Sequence, residues 1–140
     1  MQYSTRYIEP CHCIDIVFYG SISTEDIIDA VSVLPQYIKD GEHIAAILFD
    51  YSEVSAFNVT TNGIKQIADK KEELSKNIKD VSVAIVAPSL PIYGTFQIWL
   101  SYSINSKWKN SVFKTRGSAE YWIRDNVVGE HCKRQDCLIS

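Results

Sequence analysis

Two apolar runs dominate the pattern of hydrophobic and polar positions along the chain. Residues 44–49 and 81–87 are nearly free of polar side chains, which is typical of strands buried on both faces of a sheet. Residues 13–19 alternate between apolar and polar positions, as in a strand nearer a sheet edge. Residues 3–9 are predicted to pair with that strand as an antiparallel hairpin, and residues 111–114 to form a short fifth strand.

Between these strands, apolar residues recur at helical spacing. Ser23 is a predicted N-cap, and the first helix is expected to end early or kink at Pro35. A second helix is predicted after Thr60 or Thr61, a third from about residue 94 and a fourth from residue 118. The inward positions of the second helix are Ile64, Ile67, Ala68, Leu74 and Ile78. The charged residues Lys65, Asp69, Lys70, Glu72, Glu73 and Lys76 form its solvated face. This alternation predicts an α/β sandwich with a mostly parallel sheet.

Three segments together resemble a known family. The sequence DYSEV at 50–54 follows a buried strand, VAIVAP at 83–88 leads to Tyr93-Gly94, and Val112-Phe113 precedes AEYWI at 119–123. Over residues 12–124 their order and spacing resemble the SpoIIAA-like branch of the STAS domains, named after a sporulation anti-sigma factor antagonist. The resemblance implies a STAS-like sandwich: a four- to five-stranded mixed β-sheet with about four helices, mostly on one side. It also implies a non-enzymatic regulatory or interaction module.

The resemblance further implies the place of a regulatory switch. Regulatory members of the family phosphorylate a serine in a D-S-S/T-G turn at the start of the second helix. Here that stretch reads FNVTTNG at 57–63, with Val59 at the nearest position. Thr60 and Thr61 are therefore candidate phosphorylation sites, since a phosphate at a helix N-terminus meets unpaired N–H groups and the favourable end of the dipole. The alternative is that one of them only caps the helix.

We expect the working surface where the loop over residues 50–63 meets the second helix. Its candidate residues are Asp50, Ser52, Phe57, Asn58, Thr60 and Thr61. Asp50 is also expected to cap its own turn, by accepting a hydrogen bond from the N–H of residue 52 or 53. Phe57 either contacts a partner or packs onto the second helix. The expected partner is an unknown protein or a small apolar ligand, and the sequence permits a homodimer without requiring one.

Charge and motif content exclude several function classes. The net charge of −3 argues against a nucleic-acid-binding face. No glycine-rich phosphate loop follows a strand, and no nucleophile, acid and base converge by spacing. The cysteines at 11, 13, 132 and 137 are predicted to be free thiols in a reducing compartment, because their spacing is unlike a zinc knuckle. Without a signal peptide or a membrane-spanning run, we predict a cytoplasmic, non-enzymatic protein that needs no metal or cofactor.

Aromatic residues and the end of the chain favour an alternative function. Tyr93 and Tyr102 are candidates to line a groove between the third helix and the sheet edge, suited to a small apolar or lipid-like ligand. The last four residues, Cys137-Leu-Ile-Ser140, match the C-a-a-X pattern and make Cys137 a candidate lipidation site. The alternative is therefore a lipid-binding or membrane-anchored protein. We divide the chain into one domain at 1–128 and a flexible tail at 129–140.

Overall fold

Five strands form one mixed sheet in the order β1-β2-β3-β4-β5. The structure, a computed structural model, describes residues 2–8, 12–39, 43–78, 80–102 and 108–131, without the side chains of residues 102 and 127–131. The strands are β1 (Tyr3–Ile8), β2 (Cys13–Ser23), β3 (Ala46–Asn58), β4 (Ser82–Val86) and β5 (Lys109–Phe113). β1 is antiparallel to β2, and the other neighbours are parallel. The predicted α/β class and mixed sheet are confirmed.

The helices cover the two faces of the sheet unequally. They are α1 (Thr24–Val31), α2 (Leu34–Lys39), α3 (Thr61–Ser75), α4 (Leu90–Tyr102) and α5 (Arg116–His131). Each parallel connection steps one strand in the same direction, so right-handed crossovers place α1 to α4 on one face. The first predicted helix is divided into α1 and α2, and Pro35 lies in the first turn of α2, where no N–H partner is needed.

Two hydrophobic cores result from this arrangement. The first lies under α1 to α4 and contains large side chains, including a stack of Phe18 on Tyr51 with ring centroids 4.6 Å apart. Phe96 of α4 packs 4.9 Å from the Tyr51 ring. The second lies under α5 and is built mostly from small side chains: Cys13, Ala45, Ala46, Leu48, Ala84, Val86, Ala119 and Ile123. The first core therefore contributes most of the buried apolar area.

β3 continues beyond the predicted strand. The apolar pattern predicts that this strand ends at Phe49 and that residues 50–63 form a loop, but β3 runs to Asn58. The loop prediction was wrong because β2 also extends, to Ser23, and pairs with the added part of β3. Register irregularities interrupt this pairing, one of them next to Gly20. Gly20 has φ of 74°, a left-handed conformation that glycine adopts without steric cost.

α4 begins earlier than predicted, at Leu90 rather than near Gly94. Ser89 explains the early start, since its Oγ accepts a hydrogen bond from the N–H of Ile92 at 3.4 Å, as a helix N-cap does.

α5 begins earlier than predicted and continues past the predicted domain boundary. It begins at Arg116 rather than Ser118, and Thr115 Oγ1 accepts the Ser118 N–H at 3.2 Å. It runs to His131, past the predicted domain boundary at 128. The rest of the predicted tail, with Cys137, lies outside the described residues.

Candidate functional site

The N-termini of α1 and α3 lie side by side at one end of the sheet. Ser23 caps α1 by accepting from the N–H of Asp26, as predicted, and Thr60 Oγ1 accepts from the N–H of Gly63 at 2.9 Å. A Cβ on Gly63 would clash with the side chain of Thr24. The close approach of the two helices therefore requires glycine at this position.

The two candidate threonines differ in their surroundings. The hydroxyl of Thr60 caps α3, whereas Thr61 is the exposed first residue of the helix. No acidic residue lies in the first turn of α3, so the partial positive charge of its N-terminus is not neutralised within that turn. Lys65, also exposed, lies four residues after Thr61, on the same face of the helix.

The end of β3 contributes two more side chains to this region. Phe57 is half-buried, and its ring centroid lies 5.9 Å from that of Tyr51 and 5.8 Å from that of Phe96. The exposed Asn58 donates from Nδ2 to Ser21 Oγ at 3.0 Å. Four of the predicted site residues thus lie together. We call them the β3–α3 surface: Phe57, Asn58, Thr60 and Thr61.

Asp50 and Ser52 lie away from the β3–α3 surface. The expected hydrogen bond is present, with the Ser52 N–H donating to Asp50 Oδ1 at 2.8 Å. Asp50 is only 5% exposed, and its Oδ2 accepts from Arg116 of α5. At ~3.3 Å per residue, about 23 Å of strand separates Asp50 from Phe57. Asp50 therefore belongs to the structure under α5, on the opposite face of the sheet.

Arg116 joins three buried carboxylates on that opposite face. Its Nη1 and Nη2 donate to Asp15 at 3.1 and 2.8 Å, its Nη1 to Asp50 at 2.9 Å, and its Nε to Glu120 at 2.8 Å. Burial acts to lower the pKa of Arg116, but these hydrogen bonds raise it by more, so the pKa lies above its ordinary value. We call these four residues the Arg116 cluster; it attaches α5 to β2 and β3.

Of the four residues in the Arg116 cluster, only Asp50 was identified from the sequence. Asp15 is an acidic residue between Ile14 and Ile16, which the alternating pattern places on an exposed side of the strand, yet it is 4% exposed. Its partner Arg116 lies 101 residues later, beyond the reach of any local pattern. Beside the cluster, a groove of about 370 Å³ is lined by Ser4, Arg6, Asp15, Val17 and Arg116. Because Arg116 holds the carboxylates, the cluster acts as an ion-pair network.

A buried lysine was also missed. Lys71 of α3 is 4% exposed, and its Nζ has no hydrogen-bond partner among the described residues. The ammonium lies over the ring of Trp99, 4.5 Å from the centroid. Burial lowers the pKa of Lys71 from 10.5 to about 8, an effect that Glu72 partly opposes. The sequence does indicate that Lys71 is buried, because it lies seven residues, or two helical turns, after Ile64 and therefore on the same face of the helix.

The aromatic groove stays a prediction. Tyr93 is half-buried, and Lys114 Nζ lies 5.1 Å from the centroid of its ring, while the side chain of Tyr102 is not described.

Among the residues that the structure describes, no three His, Cys, Asp or Glu side chains are grouped to hold a metal ion. No helix in the described ranges is long and apolar enough to cross a membrane.

Comparison with solved structures identifies the fold. An uncharacterised DUF3478-family protein from Shewanella loihica PV-4, described as having a SpoIIAA-like fold, matches with a TM-score of 0.52 and 14% identity, over 86% of this chain and 91% of that one. The Bacillus cell fate determinant SpoIIAA in its phosphorylated form matches with a TM-score of 0.50 and 11% identity, over 86% and 98%. The fold is SpoIIAA-like. This confirms the resemblance stated from the sequence.

A third solved structure also matches the chain. The anti-sigma factor antagonist SpoIIAA in its unphosphorylated form matches with a TM-score of 0.49 and 16% identity, over 87% of this chain and 97% of that one. No protein-family model and no curated protein matches the chain. At these identities the SpoIIAA-like likeness concerns the fold, and the function must be argued from the surface of this chain.

Proposed function

We propose that this SpoIIAA-like protein is a non-enzymatic regulatory module in the cytoplasm that binds a protein partner through its β3–α3 surface. The observation that carries the proposal is the extension of β3 past the end of its pairing with β4. β4 pairs with β3 only as far as Asp50, while β3 continues to Asn58 with β2 along one side. The extension brings half-buried Phe57 beside exposed Asn58 and Thr61. An aromatic anchor surrounded by polar groups is a common arrangement in protein interfaces.

Phosphorylation of Thr61 is the regulatory step in this proposal. The SpoIIAA structures above are described in phosphorylated and unphosphorylated forms. A phosphate on Thr61 would lie at the N-terminus of α3, one helical turn from Lys65. Thr60 is the weaker candidate, because its hydroxyl already accepts the Gly63 N–H. The added charge would change partner affinity without altering the core.

The test compares partner capture by surface variants. Thr61→Arg places a long charged side chain in the β3–α3 surface, and Gln97→Arg makes the same change on the exposed face of α4. Each protein is used as bait in extract of its own host, and the partner is identified by mass spectrometry. We expect a partner that binds wild type and Gln97→Arg but is lost with Thr61→Arg. Equal capture by both variants, or loss with both, would contradict the proposed surface.

Intact-mass analysis of the protein from the same host tests regulation separately. We expect a phosphorylated fraction that maps to Thr61 and disappears in Thr61→Val. Phosphate found elsewhere, or at neither candidate threonine under any growth condition, would remove the switch while leaving the interaction surface standing.

One observation favours membrane association as a second candidate. α4 carries no charged residue over its 13 positions, and it exposes Leu90 and Ile98 by 72% and 46%. Co-sedimentation with lipid vesicles tests this candidate. Binding to vesicles that is reduced in Leu90→Ser supports it, and recovery of all the protein in the supernatant excludes it for the unlipidated chain.

A further inference from the structure

A polar pocket lies at the N-terminal ends of β4 and β5, beside α5. It has a volume of about 240 Å³ and is lined by Asp80, Val81, Ser82, Lys109 and Asn126. Ser82 is the first residue of β4, and its partner Lys109 is the first residue of β5. Ala84, two residues along β4 from Ser82, belongs to the core under α5, so Ser82 and Lys109 project towards that helix. The β3–α3 surface lies at the other end of the parallel strands.

The Ser82 hydroxyl is a buried polar group that borders this pocket. Ser82 is only 6% exposed, and its N–H donates to the Ala45 carbonyl at 3.0 Å. Its Oγ shares no hydrogen bond with any residue that the structure describes. A buried hydroxyl without a partner lowers the stability of a fold, and the pocket is the space from which a ligand can supply that partner.

Asn126 brings an amide group from α5 to the same pocket. It lies seven residues, or two helical turns, after Ala119, which packs against the sheet in the core under α5. One N–H of its Nδ2 donates to the Trp122 carbonyl at 2.8 Å. The amide oxygen and the second N–H therefore remain for a ligand, as an acceptor and a donor.

Two opposite charges line the pocket without neutralising each other. Asp80 and Lys109 are both exposed, and no ion pair among the described residues includes either of them. Asp80 has φ of 59°, a left-handed conformation that costs free energy in any residue but glycine. Strain of this kind is concentrated at sites that hold ligands. Here it occurs at the residue whose carboxylate borders the pocket.

These charges favour a ligand that carries both signs. An anion beside Lys109 is repelled by Asp80, and a cation beside Asp80 is repelled by Lys109. A zwitterion can form a charge-assisted hydrogen bond with each of them. The ammonium of an α-amino acid has three N–H donors, enough for Asp80 and the Ser82 hydroxyl, and its carboxylate accepts from Lys109 and Asn126.

The volume of the pocket limits the size of this ligand. Pockets for drug-sized molecules measure ~300–1,000 Å³, and an engineered cavity that holds benzene measures ~150 Å³. At about 240 Å³, the pocket lies between these values. It therefore accommodates a molecule with a few more atoms than benzene, which is the size of an amino acid with a small side chain.

We propose that this pocket binds one free α-amino acid with a small side chain, its ammonium on Asp80 and its carboxylate on Lys109. Ser82 and Asn126 supply the neutral hydrogen bonds. Because only the folded chain forms the pocket, binding stabilises the folded state. The site is separate from the β3–α3 surface, so either one can fail without the other.

The test is a screen of the standard amino acids, each added singly to the isotope-labelled full chain at pH 7 and followed by amide chemical shifts. We expect saturable shifts at residues 80–82 and 109–110 with at least one small amino acid. Acetate and ethylammonium, which each carry one of the two charges, should give no saturable shifts at the same concentration. Residues 57–61 of the β3–α3 surface should not respond.

Variants that remove one charge identify the ligand contacts. Asparagine adopts the left-handed conformation readily, so Asp80→Asn removes the charge and keeps the turn. We expect Asp80→Asn and Lys109→Gln each to raise the Kd by about tenfold or more. The matched controls Asp69→Asn and Lys65→Gln change exposed charges on α3 and should bind as the wild type does.

Three results would overturn the proposal. The first is that no amino acid gives saturable shifts at the pocket. The second is equal binding of acetate or ethylammonium, which would show an adventitious ion only. The third is an unchanged Kd in both Asp80→Asn and Lys109→Gln, with the amide spectrum of each variant showing an intact fold.

Discussion

At the scale of single residues, burial of the Lys71 ammonium lowers the stability of the folded protein. Its neighbours on the buried stripe of α3 are Ile64, Ile67, Ala68 and Leu74. An apolar side chain at Lys71 would bury carbon without the loss of hydration that an ammonium suffers. Departures of this kind from a consistent core are expected chiefly at functional or strained sites.

Replacement of Lys71 by Met is expected to stabilise the protein at pH 7, by about 3 kcal/mol. The pKa of Lys71 falls from 10.5 to about 8 on folding. Between these values the unfolded chain binds more protons than the folded one, so wild-type stability rises with pH. The advantage of Lys71→Met should therefore be full below pH 8 and shrink towards pH 10.5. Urea unfolding across pH 7–10.5 measures it.

A stability gain that is unchanged across this pH range would show that methionine acts by packing rather than by removing a charge. Lys65→Met serves as the matched control, because Lys65 is exposed, and we expect its stability to stay within about 0.5 kcal/mol of the wild type at every pH.

Gly63 is a second residue at which a small substitution should change the stability of the fold. Gly63→Ala adds a Cβ that meets the Thr24 side chain. Although alanine is the better helix former, we expect a loss of about 1–3 kcal/mol, because α1 and α3 must separate. Chemical denaturation measures the loss. The double variant with Thr24→Ala removes the clashing atoms and should recover much of it; simple additivity of the two changes would argue against a steric cause.

At the scale of elements, the sequence predicts where helices and strands occur better than where they end. The stripe of α3 and the buried strands β3 and β4 follow from periodicity, since many residues repeat the same signal. The extension of β3 to Asn58 depends on pairing with β2, which a local pattern does not contain. The Arg116 cluster likewise joins residues of three elements. Of the candidate site, the β3–α3 surface was predictable because its residues are close in sequence.

The attachment of α5 to the sheet depends on Arg116. Arg116→Met leaves the buried carboxylates of Asp15 and Asp50 without this partner, and we expect a loss of about 3 kcal/mol at pH 7. Arg124→Met is the control: its nitrogen lies 3.9 Å from Glu120, and we expect a loss of at most about 0.5 kcal/mol. Guanidinium unfolding compares the two. Similar losses would mean that the Arg116 cluster contributes no more than the single long ion pair between Arg124 and Glu120.

At the scale of the whole molecule, the helices on the two faces of the sheet are held by different kinds of contact. The face under α1 to α4 holds the large aromatic core, the buried Lys71 and the helix that begins at the β3–α3 surface. The other face holds α5 on small side chains and on the Arg116 cluster. Less apolar area per residue is buried there, so α5 is the helix whose attachment depends most on polar contacts.

Hydrogen exchange of the intact protein tests this division. We expect amides of residues 119–126 in α5 to exchange faster than those of β3 and β4, by a local opening that leaves the first core folded. Arg116→Met should accelerate exchange in α5 further while the amides of α3 keep their protection, and Arg124→Met should leave both patterns unchanged. If Arg116→Met instead raised exchange equally in α5, α3 and the central strands, the two faces would unfold together. The ion pairs under α5 would then stabilise the whole sheet rather than one helix.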